Sequence, residues 1–300
     1  MNMAEHQHLQ RGKLREREPM ARHVSWRAGG CADRAYFPAD LDDLRMFVAS
    51  LPANEPLYFV GLGSNLLVRD GGLRATVVLT QNALKSLKLD GDVIYAEAGV
   101  ASPKVARFAA AKGFEGAEFL AGIPGSVGGA LAMNAGCYGG ETWNIVASTT
   151  TIDRVGDLHR RTRADYDIGY RAVTLRNGAE EWFAAAYFKL SHGDGAKAGA
   201  TIKQLLERRM ATQPLDQANA GSVFRNPPGD FAARLIEACG LKGQRSGGAM
   251  ISDKHANFIL NLGDARSADI EALIMLAEDS VREKFGITLE REVRIVGEPA

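Results

Sequence analysis

Short apolar runs separated by glycine turns occupy the first half of the chain, and helix-like spacing takes over in the second. Asp40 stands at a helix N-cap position, with Asp43 in the first turn and Leu41, Leu44 and Val48 on one face. Strand-length runs follow at Leu57–Val60, at Leu66–Val68 and, after Gly71-Gly72, at 75–79; residues 93–98 read as another strand. Ser102-Pro103 carries the N-cap and first-turn signature of a helix that ends at Gly113. Residues 148–153 and 158–162 flank Gly156-Asp157, a hairpin signal, and 182–190 form a longer strand.

The stretch from His192 to Gly199 is polar and glycine-rich, which places a domain boundary there. Beyond it the pattern predicts helices over 201–210 and 230–239, the latter stopped by Gly240. A strand over 258–262 leads to a helix over Ser267–Phe285, whose Ile270, Leu273, Ile274, Ala277 and Val281 share a face, and 291–296 form a final strand. The expected class is α+β in two lobes: an N-terminal tail over 1–21, one domain over 22–192 and a second over 200–300.

Charge narrows the choice of partner. Lys plus Arg is 36 and Asp plus Glu is 36 in 300 residues, a balance that argues against nucleic acid or an anionic membrane. No run approaches the ~18 apolar residues of a membrane span. The tail, with Arg11, Lys13, Arg15, Glu16, Arg17 and Glu18, has no apolar core of a secretory signal and reads as mobile. Cys31, Cys137 and Cys239 are odd in number and far apart, and no CxxC, HExxH or EF-hand pattern occurs. That usage fits a reducing cytoplasm and offers no metal site. Cys137 reads as a small buried residue, since no resolving cysteine lies nearby in sequence.

Glycine is the unusual feature. The chain holds 33, and nine of them fall within 113–140. Gly61-Leu62-Gly63-Ser64-Asn65 follows a strand but lacks the third glycine of GxGxxG and leads into another strand. Gly122-Ile123-Pro124-Gly125-Ser126-Val127-Gly128-Gly129-Ala130 has no Gly-Lys-Ser/Thr ending and misses GxSxG by one position. Both segments can converge backbone N–H groups on anionic oxygens. Tight turns in a β-rich domain are the other reading.

These segments occur in a recognisable series: Trp26-Arg27-Ala28-Gly29-Gly30, then 60–67, then 118–130, then Asn134-Ala135-Gly136. Gln213-Pro214, 221–227 (GSVFRNP) and 289–294 (LEREVR) complete it. Over roughly 20–297 the chain resembles the UDP-N-acetylenolpyruvoylglucosamine reductases, flavoenzymes of peptidoglycan precursor synthesis. The resemblance implies a vanillyl-alcohol-oxidase-like FAD-binding domain of two subdomains and a smaller α+β C-terminal substrate domain. It implies non-covalent FAD, NADPH as co-substrate, a UDP-sugar as the small-molecule partner, and a monomer in the shorter family form, without the inserted tyrosine loop.

By the same resemblance Gly61, Gly63, Ser64, Asn65, Gly122, Pro124, Gly125, Ser126, Gly128 and Gly129 would wrap the FAD pyrophosphate. Asn134 and Gly136 would lie beside the cofactor, and Arg209 near the isoalloxazine, where a cation favours the anionic reduced flavin. Arg209 is also readable as part of a solvated helix face next to Arg208. Hydride addition at the vinyl carbon leaves charge at the adjacent carbon, delocalised into the carboxylate, so the site needs a cation there and a proton donor. Ser222 matches the donor, Arg171 the carboxylate clamp and Glu292 a polarising acid.

Read alone, Ser222 is a turn serine and Glu292 an outward-facing strand charge. Ala172 and the residues after it depart from the family pattern, which leaves Arg176 as an alternative clamp. Asn226 would bond the sugar nucleotide and Arg225 neutralise phosphate. Thr212 stands where some relatives have lysine. His255 and Asn257 resemble a family motif, with His255 readable as a core histidine. An FAD-dependent oxidase of small alcohols on the same fold, or a non-catalytic flavin-binding module, are the competing functions.

Overall fold

The computed structural model describes residues 11–300. The chain divides into two compact units, neither of them continuous in sequence: 11–15, Arg34–Leu62 and Ala75–Arg208 form the first, and Glu16–Asp33, Gly63–Arg74 and Arg209–Ala300 the second.

In the first unit two sheets dominate. A four-stranded sheet, with most but not all of its residues in that unit, runs in the order Lys13–Pro19, Cys31–Phe37, Leu73–Leu79, Leu57–Val60, its last pair parallel with Leu57 opposite Thr76 and Val60 opposite Leu79. A five-stranded antiparallel sheet runs Leu158–Arg161, Val146–Asp153, Glu181–Lys189, Val93–Glu97, Leu87–Asp90. The expected hairpin is present, with Ile152 opposite Leu158. Helix Leu41–Ser50 starts as expected, the Asp40 carboxylate accepting from the Asp43 N–H at 3.0 Å. Its Leu44, Phe47 and Val48 pack with Tyr36, Val78 and Ile152. A second core gathers Ile94, Val105, Phe119, Leu131, Trp143 and Phe188 under helix Ser102–Ala111 and the glycine-rich segment.

The second unit is built on helix Ser267–Phe285 and strands Arg245–Ser246, Ala249–Ile251 and Ile259–Asn261. Strand Arg294–Val296 pairs parallel with Leu66–Val68. Trp26 is fully buried in this core, its indole N–H donating to the Ile259 carbonyl at 2.8 Å while the Asn261 side chain donates to the Trp26 carbonyl at 2.8 Å. Among the described residues no helix is long and apolar enough to cross a membrane.

Three expectations differ from the structure. Residues 1–10 of the expected mobile tail lie outside the described residues, but Lys13–Pro19 is a strand and Met20, in the short helix Met20–Arg22, is fully buried. The charges there belong to a strand at the sheet's edge, where Lys13, Glu16 and Arg17 face water while Glu18 is buried and bonded to His23 at 2.8 Å. The stretch 192–199 is not a linker, because helix Gly195–Thr212 begins inside it and the first unit runs on to Arg208. Asp194 caps that helix, its carboxylate accepting from Ala196 and Lys197 N–H at 2.9 and 3.1 Å. A Cβ on Gly195 would lie 2.2 Å from the Ala110 carbonyl, so this glycine marks a close approach rather than flexibility. Finally, Ser102 lies inside its helix and does not cap it: Ala101 is the N-cap residue, and the Ser102 hydroxyl is buried with no partner.

Candidate functional site

In the first unit the glycine-rich loop packs against the end of strand Val93–Glu97 and the start of helix Ser102–Ala111. The Val127 and Gly128 N–H groups donate to the Val100 and Ala98 carbonyls at 2.8 and 2.9 Å, and Gly125 donates to Ile123 at 2.9 Å. These amides are spent within the protein, which narrows the anion-binding nest expected from the sequence. Among the buried side-chain groups of this loop, the one without a partner is the Ser126 hydroxyl, in a residue 1% exposed. Gly61 faces it so closely that a Cβ there would lie 2.0 Å from the Ser126 Oγ. Gly122 is buried and packs on Cys137, whose thiol sits 2.9 Å from the Phe119 carbonyl and is half-buried rather than buried. Pro124 and Gly129 are exposed.

Around Asn134 the chain gathers remote segments. Asn134 is buried, with a left-handed φ of 38°. Its side-chain NH2 donates to the Glu141 carboxylate at 3.0 Å and the Gly169 carbonyl at 3.3 Å, and its Oδ1 accepts from the Trp143 N–H at 3.2 Å. Its own carbonyl and that of Gly136 accept from the Arg171 guanidinium at 3.4 and 3.1 Å. Arg171 occupies the tip of a hairpin in which strands Tyr166–Gly169 and Ala172–Leu175 pair antiparallel, and it too has a left-handed φ, of 56°. Its guanidinium also lies 4.9 Å from the centre of the Tyr170 ring. Arg176, the alternative clamp, sits exposed at the hairpin's base and pairs with Asp167 at 2.9 Å. Asn134, Gly136 and Arg171 are thus brought together.

In the second unit Gly63 fits under the segment that precedes Trp26. Its carbonyl accepts from the Ser25 N–H at 3.2 Å, and a Cβ would meet the His23 carbonyl at 2.3 Å. Ser64 is half-buried in the turn that follows, and the Asn65 side chain donates to the Glu292 carbonyl at 2.9 Å. Ser222 is half-buried in a segment without regular structure. The Glu292 N–H donates to the carbonyl of Val223, the next residue, at 2.8 Å. Asn65 and Glu292 are therefore bonded to each other, and Glu292 to the residue that follows Ser222, so three separate motifs are linked through their backbones.

The remaining expected residues are engaged locally. The Arg225 guanidinium donates to the Glu290 carboxylate at 3.1 Å. Asn226 is exposed, and its Oδ1 accepts from the Ala232 N–H at 3.1 Å, at the start of helix Ala232–Ala238. Arg209 is half-buried and donates to the Gln213 side chain at 3.0 Å, one turn further on, so it is not a wholly solvated face. His255 packs edge-on to Phe258, its Nδ1 buried without a partner, and burial holds it below the ordinary imidazole pKa. No group of three metal-ligating side chains occurs among the described residues.

Sequence reasoning passed over two groups. Glu141 carried no motif, and its partnership with Asn134 depends on a turn that no periodicity marks. Ser102 was read as a cap, and only the register of its helix shows the hydroxyl turned inward.

The comparisons with known proteins agree with the two-part sequence signal. A family model described as an FAD binding domain matches residues 32–162, and one described as the UDP-N-acetylenolpyruvoylglucosamine reductase C-terminal domain matches 213–296. A protein of Thiobacillus denitrificans named UDP-N-acetylenolpyruvoylglucosamine reductase is 57% identical over 96% of this chain and 93% of its own length. One of the same name from Alkalilimnicola ehrlichii is 55% identical over 99% of both. The crystal structure of UDP-N-acetylenolpyruvylglucosamine reductase from Thermus caldophilus superposes with a TM-score of 0.81 at 33% identity, over 94% of this chain and 99% of that one. With identity this high across nearly the whole length, and both characteristic domains matched, the chain belongs to the UDP-N-acetylenolpyruvoylglucosamine reductase family.

Proposed function

We propose that this chain reduces the enolpyruvyl ether of UDP-N-acetylglucosamine to the lactyl ether, UDP-N-acetylmuramate, with NADPH as hydride source and FAD held non-covalently. The reaction would serve peptidoglycan precursor synthesis in the cytoplasm, with the monomer as the working form. Family membership supports the reductase class and the FAD. The observation that carries the reading is the 2.8 Å bond from Glu292 N–H to the carbonyl of Val223, the residue after Ser222, which links the two motif segments through their backbones.

The residues present fit the cofactor. Ser126 offers a buried hydroxyl with no protein partner, and only a glycine at position 61 lets that hydroxyl sit where it does, since a Cβ there would lie 2.0 Å from the Ser126 Oγ. A phosphate oxygen accepts from such a hydroxyl, which removes the cost of burying it unpaired. Gly63, Ser64, Asn65 and the loop from Gly122 to Gly129 are the further contacts we assign to the dinucleotide, with Asn134, Gly136 and Arg209 near its ring. The chemistry that bound FAD supplies is a two-electron relay from NADPH to the terminal vinyl carbon of the substrate.

The chain's own task is the charge left behind. Arg171, steadied by two backbone carbonyls, holds the substrate carboxylate and stabilises the developing enolate. Ser222 gives its proton to the carbon next to that carboxylate. A serine hydroxyl is a weak acid, so it serves only where it is aimed at a strongly basic carbanion. Glu292 polarises the enolpyruvyl group, and Arg225 and Asn226 hold the sugar nucleotide.

Anaerobic mixing tests the reading. The purified yellow protein should bleach with NADPH and recolour when the enolpyruvyl substrate is added. In a separate aerobic assay, consumption of oxygen with a small alcohol would indicate an oxidase instead. Flavin binding with neither half-reaction would leave a non-catalytic module.

A further inference from the structure

We infer that Asn257 is a positioning residue for the reductive step, acting through Ser222 and Glu292; the inference rests on the function proposed above. Asn257 lies just before strand Ile259–Asn261 and is 3% exposed. Three hydrogen bonds tie it to the two residues that follow Ser222. Its backbone carbonyl accepts from the Val223 N–H at 2.9 Å. Its Oδ1 accepts from the Phe224 N–H at 2.9 Å, and its Nδ2 donates to the Phe224 carbonyl at 2.8 Å. Asparagine carries a donor and an acceptor side by side at this reach, so its amide satisfies both the N–H and the carbonyl of Phe224, a residue that also bridges antiparallel to Arg291.

The consequence runs in two directions from Val223. Its N–H is bonded to Asn257, and its carbonyl accepts from Glu292 N–H at 2.8 Å and from Val293 N–H at 3.3 Å. Val223, the residue after Ser222, is therefore held at its N–H by the Asn257 main chain and at its carbonyl by Glu292 and Val293, and the Asn257 side-chain amide holds the N–H and carbonyl of Phe224 that follows. On the other side of Ser222 stands Gly221, with φ of 73°, a joint that by itself sets little. The direction of the Ser222 hydroxyl thus depends on the Val223–Phe224 backbone, and so does the seat of Glu292. Asn257 holds that backbone without being placed at the reacting atoms. Proton transfer to carbon tolerates little misplacement, since about 1 Å costs on the order of a hundredfold in rate.

Asn257→Ala, made in the full-length flavoprotein, separates this role from a merely structural one. FAD content and the rate of bleaching by NADPH should match the unmodified protein. Recolouring by the enolpyruvyl substrate should slow about tenfold to a hundredfold, through the rate at saturation rather than through the substrate concentration needed. Combined with Ser222→Ala, the substitution should add nothing further, because both act on the same proton. Asn257→Asp should slow the same step, its carboxylate having no proton to give the Phe224 carbonyl. If Asn257→Ala does not yield folded flavoprotein, Asn257→Ser takes its place with the same readouts. The inference is overturned if recolouring is unimpaired, if both half-reactions fall together, or if the loss multiplies in full with that of Ser222→Ala. Should the unmodified protein itself fail to recolour with the substrate, the fault lies with the proposed function, a different outcome from a normal parent with a normal variant.

Discussion

The backbone N–H of Glu292 donates to the carbonyl of Val223 at 2.8 Å, and this bond ties the segment of the proposed polarising acid to the residue that follows the proposed proton donor, Ser222. Each was an isolated motif residue in the sequence, one in a turn and one near a terminal strand. If Ser222 supplies the proton, Ser222→Ala should leave flavin bleaching by NADPH intact. It should slow recolouring by the substrate by about 10²-fold or more, the usual loss for a missing general acid. Stopped-flow absorbance resolves the two half-reactions, and an unchanged recolouring rate removes Ser222 from the role.

Arg171 and Arg176 compete for the substrate carboxylate, and their settings differ. Arg171 is half-buried at a hairpin tip and bonded to the Asn134 and Gly136 carbonyls, whereas Arg176 is exposed and paired with Asp167. Arg171→Ala should raise KM and lower kcat together, with kcat/KM down on the order of a hundredfold, as for a charge-assisted pair that strengthens as charge develops. Arg176→Ala should leave both constants where they were. Steady-state kinetics with varied UDP-sugar decides, and the opposite pattern would move the clamp to Arg176.

The parts of the fold legible in the sequence are those whose cause is local. The Asp40 cap, the hairpin around Gly156-Asp157 and the amphipathic helix Ser267–Phe285 follow from residues a few positions apart. Three errors share the opposite cause. The Lys13–Pro19 strand looks like a charged tail because its partner, Cys31–Phe37, lies beyond the reach of local pattern. The glycine of helix Gly195–Thr212 looks like a linker because the reason for it is the Ala110 carbonyl on another helix. Ser102 looks like a cap because only helix register decides between position N-cap and the next. The residues assigned to the candidate site stand out one by one only through the family motifs that carry them. The Asn134 and Asn257 networks do not stand out, since each joins backbone groups that carry no sequence signature.

Glu181 offers a test of stability against pH. Its side chain is 4% exposed and is held by the Arg161 guanidinium and the Thr151 hydroxyl. Burial alone would raise its pKa, but the bonds from Arg161 and Thr151 outweigh burial and hold it below the usual carboxylate value. A carboxylate depressed in the folded state contributes stability above its unfolded pKa, and that contribution is lost as pH falls through the folded value. Arg161→Ala should cost about 1–3 kcal/mol at neutral pH, as for a carboxylate left buried without its cation. It should also invert this group's contribution, because an unpaired buried carboxyl prefers its proton and folding then favours acid. Urea titrations of both proteins across the acid range measure the difference; parallel pH profiles would show that the pair does not matter.

The contact between Gly61 and Ser126 bears most directly on the cofactor. A Cβ at Gly61 would lie 2.0 Å from the Ser126 Oγ and 3.0 Å from its Cβ, with the next neighbour, Thr80 Oγ1, at 3.8 Å. Gly61→Ala therefore displaces Ser126 alone, the residue whose buried hydroxyl we assign to a phosphate oxygen. FAD affinity, followed by quenching of flavin fluorescence, should fall on the order of tenfold to a hundredfold, the range of one lost charge-assisted hydrogen bond. Ser126→Ala removes the hydroxyl without crowding the loop. It should weaken FAD to a similar degree while the flavin-free protein keeps its stability or gains some, since an unsatisfied buried group is gone. Adding Ser126→Gly to Gly61→Ala should recover the room but not the affinity. If Ser126→Ala binds FAD as the parent does, the hydroxyl faces something other than phosphate, and Gly61 is small for packing alone.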